Sequence, residues 1–507
     1  MLDSIKFVII IGGILLGNYA FAQNKSYKRG LSYEIPYEED VTSFSKGVSW
    51  FYNWGGQPKG HINTCLLEAG ADFVPMAWNG GYNENALRSY LQNHTNVKYI
   101  LGFNEPNFKS QANMTPAEAV AEWPRLQKIA DDFDLKIVSP AVNFSADAPY
   151  QDPNTWLDEF FRLLPSDARV DYVAVHCYMP YPSALMWYIG KFKKYGRPIW
   201  LTEFCAWDNF WEIPGDQPSN QMRYMVDAIN YLESDPDVYR YAWFIPRTAE
   251  SNKYPYMQLL EDNAPGVLTD LGKVFVSMSS QDKFHYFQID EKIPAEHYIS
   301  MNIVDVKNSD DWKGSIMLRP TTDMDGELEI YDFNDNKWVE YNIDVSQTAN
   351  YSFCFRYATS VGAECKFFLD GVEKKVLSFT PTLADENWTE SIFSGVELDS
   401  GKHTVRFQVV NGNLCLNWWY LSTSTVSLYN NFKNEKFLVY PSVVTDILYI
   451  NDIEDINRIS IYSQYGQQMN CKINGNEVDC SLFPCGCYII EMLKKNGDSS
   501  FWKIIKK

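Results

Sequence analysis

Between residues 44 and 278 short apolar runs alternate with longer mixed segments, and this rhythm narrows the accessible folds more than any other feature of the chain. The runs are 47–54 (GVSWFYNW), 72–78 (DFVPMAW), 97–103 (VKYILGF), 135–140 (LKIVSP), 170–178 (VDYVAVHCY), 198–204 (PIWLTEF) and 239–244 (YRYAWF). The segments between them have a helical period. In 116–133, Pro116 suits a first helical turn and apolar residues recur at three and four. Strand, helix, strand at this spacing means parallel β-structure under covering helices. Polar and aromatic residues end several runs, and in a (β/α)8 TIM-like barrel those ends form one open face. A doubly wound sheet fits less well, because no glycine-rich phosphate loop follows the first strand. Seven strands can be counted, so one early strand is short or concealed.

From 290 to 425 the period changes to short alternating strands with turns at Asp370-Gly371 and Asn411-Gly412, which predicts a β-sandwich. A small all-β unit follows over 436–507, after a polar linker at 423–435. At the other end, Lys6, an apolar run from Phe7 to Leu16 and Ala20-Phe21-Ala22 read as a signal peptide spanning 1–22. The predicted barrel occupies 44–280. A total of 507 residues is ample for several separate cores.

The net charge of −20 repels a phosphate backbone, so nucleic acid is excluded as a partner, whereas a neutral polysaccharide meets no such barrier. Aromatic residues make up 16% of the chain, enough for some rings to face sugar. The six histidines include no H-E-x-x-H pair, and no G-x-S-x-G elbow is present, so zinc and serine hydrolase chemistry lack their usual residues. Cys471, Cys480, Cys485 and Cys487 lack the paired C-x-x-C knuckles of a zinc site.

Cleavage of a glycosidic bond needs one carboxyl group to protonate the leaving oxygen and a second to attack carbon or activate water. Glu105 and Glu203 each follow a predicted buried strand, three strand steps apart, and so can face each other across a barrel mouth. Asn104 offers an amide to a sugar hydroxyl. His176 and Tyr178 share one face of their strand, where Tyr178 can bond the nucleophile. Asn53, Trp54, Trp78, Asn79, Trp207 and Trp243 lie at or just past strand ends and are candidate subsite walls. This chemistry requires neither metal nor cofactor. Asp72, Asp171 and Asp208 are further candidates for supporting roles.

Taken in order, VSWFYNWG (48–55), FVPMAWNG (73–80), LGFNEPN (101–107), VSPAV (138–142), VAVHCY (173–178), WLTEF (200–204) and YAWF (241–244) resemble glycoside hydrolase family 128. The resemblance implies endo-acting, retaining hydrolysis of β-1,3-glucan of the laminarin type, with Glu105 as acid/base and Glu203 as nucleophile. The sandwich resembles carbohydrate-binding module family 6, through 295–298, 337–341, 400–404 and Leu416-Asn417-Trp418. That likeness implies sugar held by Asn417 and Trp388, with Tyr331 or Phe333 as the second platform, and a structural calcium with Glu296 as its matched ligand. The last unit, with Val439-Tyr440-Pro441-Ser442 and a basic terminus, resembles a type A sorting domain of the type IX secretion system. The expectation is therefore a monomer exported through that machinery to the surface or medium, acting on β-glucan polysaccharide and oligosaccharides. A hydrolase of another β-glucan or mannan, and a non-hydrolytic glycan binder, remain alternatives on the residues alone.

Overall fold

In the computed structural model the chain forms two compact units, residues 1–423 and 424–507. The residues described are 23–207, 217–248, 256–302, 315–334, 336–422 and most of 439–506. The signal segment 1–22, the linker 423–435, Asp208, Pro441-Ser442 and Cys485 lie outside them.

Eight parallel strands build the first part of unit one: β1 (Arg29–Ser32), β2 (Trp50–Tyr52), β3 (Asp72–Phe73), β4 (Tyr99–Leu101), β5 (Lys136–Val138), β6 (Val173–Cys177), β7 (Ile199–Phe204) and β8 (Val238–Trp243). Six of them form a sheet in the order β3-β2-β1-β8-β7-β6, and β4 pairs with β5. Bridges from Met76 to Leu101 and from Val138 to Tyr172 join these two sets into a TIM-like barrel. Helices α1 (Glu38–Phe44), α2 (Ile62–Glu68), α3 (Glu84–Asn93), α4 (Pro116–Asp132), α5 (Pro153–Leu163), α6 (Pro182–Phe192), α7 (Gln217–Ser234) and α8 (Asp270–Ser277) accompany the strands. The predicted helix at 116–133 is α4. It starts on a capping box in which Thr115 and Glu118 satisfy each other's backbone N–H groups.

The strand missed in the sequence is β1, upstream of the expected boundary at 44. Its four residues, RGLS, carry a single large apolar side chain, so no hydrophobic run announces it. Arg29 is buried there because the carbonyls of Phe275, Met278 and Ser279 accept its N–H groups and Glu233 neutralises it. Those partners come from the far end of the barrel sequence, beyond the reach of local pattern.

The amino-terminal end of the barrel is plugged by aromatic rings around Arg240. Its guanidinium lies 5.6, 4.7 and 5.1 Å from the ring centroids of Trp50, Tyr99 and Trp200 and pairs with Asp72 at 2.8 Å. Asp72 therefore sits at the end away from the strand tips. Asp171 is engaged by Arg169 and by the N–H of Ile137 at the start of β5, which also removes it from the open face.

The sandwich consists of two antiparallel sheets. One is built on Met317–Pro320, Leu328–Phe333, Leu414–Ser422, Ala349–Ala358 and Thr389–Leu398, the other on Ser300–Met301, Trp338–Val345, Gly401–Gly412, Ala363–Leu369 and Val372–Phe379. Phe353, Phe355, Phe407 and Trp419 interlock between them. The sandwich is joined to the barrel by close contacts: Gln23 donates to the carbonyl of His297 at 2.7 Å, Arg223 pairs with Asp332 at 3.0 Å, and Ser277 donates to Glu327 at 2.7 Å. One continuous apolar core runs through both. The second unit is all-β and has its own core around Val444, Leu448, Ile450, Ile461 and Ile490.

Candidate active site

Glu105 and Glu203 are both buried, 8% and 4% exposed, and both open on one cleft at the carboxyl ends of the strands. The cleft measures about 430 Å³ and is lined by Trp54, Trp78, Asn104, Gln111, Tyr178, Trp207 and Phe244 besides the two glutamates. One ligating atom from each of Glu105, His176 and Glu203 lies within 4.8 Å of the others, which bounds the nearest approach of the carboxylates.

Local geometry aims these groups. Leu101 and Glu105 share the inner face of β4 and its extension, and the N–H of Glu105 donates to the carbonyl of Ala141 at 2.8 Å. The backbone of Glu105 has φ 41°, and that of Trp54 φ 60°. A non-glycine residue in this region costs about 1–2 kcal/mol and persists where surrounding contacts overdetermine it. On β7 the pairing register shifts between Leu201 and Phe204. Trp200 already fills the barrel interior, so strict alternation would turn Glu203 outward; the irregularity turns it in.

Donors surround the Glu203 carboxylate. Tyr52 donates to Oε1 at 2.8 Å and Trp54 Nε1 at 2.7 Å, while the Tyr178 hydroxyl donates to Oε2. A buried carboxylate anion needs such partners in place of water. Burial, and next the charge of Glu203, push both phenols well above their ordinary value, so Tyr52 and Tyr178 stay protonated donors. Because these donors occupy Glu203, the trio it forms with Glu105 and His176 is poorly suited to holding a metal ion.

His176 is fully buried and stands between the carboxyl groups, its Nδ1 2.9 Å from Glu105 Oε1 and 3.4 Å from Glu203 Oε2. Burial acts to lower its pKa, but the charges of Glu203 and Glu105 prevail and raise it. Asn104 lines the cleft beside Glu105, and its side-chain N–H donates to Gln111 at 3.3 Å.

The structure thus gathers Glu105, Glu203, Asn104, His176, Tyr178, Trp54, Trp78 and Trp207 at one cleft. It removes Trp243, which is fully buried and donates to the carbonyl of Met257 at 2.8 Å; its neighbour Phe244 lines the cleft instead. Arg240, Ala242 and Phe244 face inward on β8, so Trp243 faces the helices. Asn53 and Asn79 shape turns rather than the cleft: Asn53 holds Glu34, Gln57 and the N–H of Gly55, and Asn79 accepts from Gly81. Tyr52, Gln111 and Phe244 were missed. Tyr52 was legible, since it shares the strand face of Trp50 and Trp54 while Asn53 points the other way.

In the sandwich, Phe333 is fully buried in the core and cannot serve as a sugar platform. Tyr331 is partly exposed beneath Arg319, 4.8 Å from its ring centroid. Trp388 donates to Thr322 at 3.0 Å and Asn417 to Asp323 at 2.9 Å, so both attach to the loop 321–326. Among the described residues, Glu296 belongs to no group of three or more His, Cys, Asp or Glu side chains that could hold a metal ion. Burial pushes its carboxyl up to about 8, which keeps it neutral, and the nearby Glu327 is engaged by Lys46 and Ser277.

Residues 30–275 match the family described as glycosyl hydrolase catalytic core, 312–421 a carbohydrate binding module (family 35), and 438–507 a secretion system C-terminal sorting domain. The sandwich, read from its motifs as similar to family 6, thus matches family 35. Among solved structures, a family 128 (subgroup II) endo-β-1,3-glucanase from Pseudomonas viridiflava is 35% identical, covering 50% of this chain and 98% of that one, with TM-score 0.46. A second subgroup II endo-β-1,3-glucanase, from Sorangium cellulosum, is also 35% identical, over 49% of this chain and 98% of that one, with TM-score 0.43. Among curated proteins, Alkali-sensitive linkage protein 1 of Schizosaccharomyces pombe is 29% identical over 262 residues, 50% of this chain and 45% of that protein. This chain therefore spans less than half the length of that curated relative.

Proposed function

The chain belongs to glycoside hydrolase family 128, and on that premise we propose that it is an endo-acting, retaining hydrolase of β-1,3-glucan, with Glu203 as nucleophile and Glu105 as acid/base. The observation that carries this reading is the separation of the two carboxyl groups, whose nearest oxygens come within 4.8 Å. Retaining enzymes hold their carboxyl groups about 5–5.5 Å apart, whereas inverting ones leave about 6.5–9.5 Å for a water molecule.

The chemistry follows from that spacing. A sugar seated in the cleft presents its anomeric carbon to Glu203 while Glu105 gives its proton to the departing oxygen. The bond from carbon to the leaving sugar breaks as the bond to Glu203 forms. Water then enters on the vacated side, loses a proton to Glu105, and its oxygen displaces Glu203 with a second inversion, so the anomeric configuration is retained. Tyr52, Trp54 and Tyr178 hold the nucleophile in line, and the side chain of Asn104 borders the sugar beside Glu105. Trp54, Phe244 and Trp207 form a continuous aromatic wall with ring centroids 6.1 Å apart at each step, on which the apolar faces of the chain's sugars rest.

The endo mode is supported by the two relatives with 35% identity, both endo-β-1,3-glucanases. In the sandwich, Trp388 is the residue proposed to touch sugar, whereas Asn417, buried and donating to Asp323 and the carbonyl of Asp325, holds the loop beneath it. The C-terminal sorting domain directs the protein to the cell surface or the extracellular space.

Time-resolved product analysis on laminarin, with mixed-linkage β-glucan, cellulose and mannan in parallel, tests the proposal. The expected result is an early ladder of laminari-oligosaccharides whose new reducing ends appear first as the β-anomer. Release of a single small product from the start overturns the endo mode. Turnover confined to another glycan overturns the substrate, and initial appearance of the α-anomer overturns the mechanism.

A further inference from the structure

Outside the residues that line the cleft, two partly exposed aromatic rings lie parallel. Phe144, in the loop after β5, is 36% exposed, and Trp187, on α6, is 57% exposed. Their planes differ by 2° and their centroids are 6.3 Å apart. Phe144 rests on Tyr188 at 5.5 Å, and Lys191, tied to Asp152, lies 5.4 and 4.9 Å from the centroids of Phe144 and Trp187. The pair is thus braced from one side while the larger ring contributes little to the core.

The loop that carries Phe144 is pinned to the loop that carries Glu105. Asn107, two residues beyond Glu105, donates to the carbonyls of Asn143 and Tyr150 at 2.7 and 3.2 Å, and the N–H of Lys109 donates to Asp147 at 2.9 Å. The loop that carries Phe144 is therefore tied directly to the loop that carries Glu105.

We infer that Phe144 and Trp187 form a stacking platform for the leaving-group half of the glucan chain. The inference rests on the proposed hydrolase reading. Glu105 protonates the oxygen that departs with the leaving sugar, so the sugars beyond that oxygen run out on its side. A pyranose presents flat C–H faces to an aromatic ring, and parallel exposed rings can meet sugars along one chain. The Lys191 ammonium beside them adds donors for ring hydroxyls. Because the platform lies away from the reacting bond and binds ground state and transition state alike, its contribution falls on KM rather than kcat. It also holds an incoming sugar in the second step, which favours transfer over hydrolysis.

The test compares Trp187→Ala and Trp187→Phe with wild type, as full chains, on two substrates. One is a nitrophenyl β-laminarioside, which has no leaving-group sugar, and the other is a long laminari-oligosaccharide. For Trp187→Ala we expect kcat/KM on the long substrate to fall about tenfold, the loss of one contact worth about 1.4 kcal/mol, mainly through KM. Activity on the nitrophenyl substrate stays unchanged, the share of transfer products drops, and Trp187→Phe restores most of the loss. Equal kinetics of wild type and Trp187→Ala on the long substrate overturn the platform. Equal losses on both substrates also overturn it, because they place the effect at the reacting centre. A wild-type protein inert on both overturns the hydrolase reading and the platform with it.

Discussion

One imidazole nitrogen lies between the two glutamates: Nδ1 of His176 is 2.9 Å from Glu105 and 3.4 Å from Glu203. A proton on that nitrogen lies within reach of both carboxyl groups, so the ring links the acid/base to the nucleophile. The same arrangement holds the carboxyl groups at a short, fixed separation. The mechanism depends on that separation.

Removal of either carboxylate should affect a different step. Glu203→Gln is expected to lower kcat by more than about a thousandfold while laminari-oligosaccharides still bind in titration calorimetry. Glu105→Ala should lose activity on glucan yet recover turnover of an activated aryl glycoside when azide is added. Normal turnover by Glu203→Gln, or no effect of azide on Glu105→Ala, would remove the corresponding assignment.

Tyr52 is a positioning residue for Glu203. Tyr52→Phe removes a hydrogen bond to a charged group, worth about 1.5–3 kcal/mol, so kcat should fall roughly 10- to 150-fold with KM little changed. Steady-state kinetics at several pH values would show this; a change confined to KM would mean that Tyr52 contacts sugar instead.

Neighbouring residues on β8 should separate stability from binding. Trp243 is fully buried, so Trp243→Ala should cost about 3–5 kcal/mol of stability by leaving a cavity. Phe244 forms part of the aromatic wall, so Phe244→Ala should raise KM for oligosaccharides with a much smaller change in Tm. Thermal unfolding and kinetics on the two variants decide between this division and the reverse.

The junction of barrel and sandwich should make stability fall with rising pH. Burial raises the Glu296 carboxyl from an ordinary 4.5 to about 8, so between these values the folded chain keeps a proton that the unfolded chain releases. Stability from this group is complete below about 4.5 and is lost as pH rises through about 8. Glu296→Gln stays neutral throughout, so its Tm should match wild type near pH 5 and exceed it near pH 8.5. Parallel Tm curves for the two proteins would contradict this account.

The sequence by itself determined the alternation of buried strands and amphipathic helices, the change to sandwich periodicity near 290, and the glutamates at the carboxyl ends of β4 and β7. These were legible because burial of apolar side chains imposes a period that local sequence must obey. Side-chain parity was partly legible too: Tyr52 could have been found beside Trp54, and Phe244 preferred to Trp243, by strict alternation along their strands. Other features depended on partners distant in the chain. Arg29 makes β1 a barrel strand because Glu233 and the carbonyls after Val274 receive its charge and donors. Glu203 faces the cleft because β7 slips register between Leu201 and Phe204 against β8. Tertiary structure decided that slip: the barrel must close around a plug already filled by Trp200, and only the pairing with neighbouring strands fixes which residue turns inward.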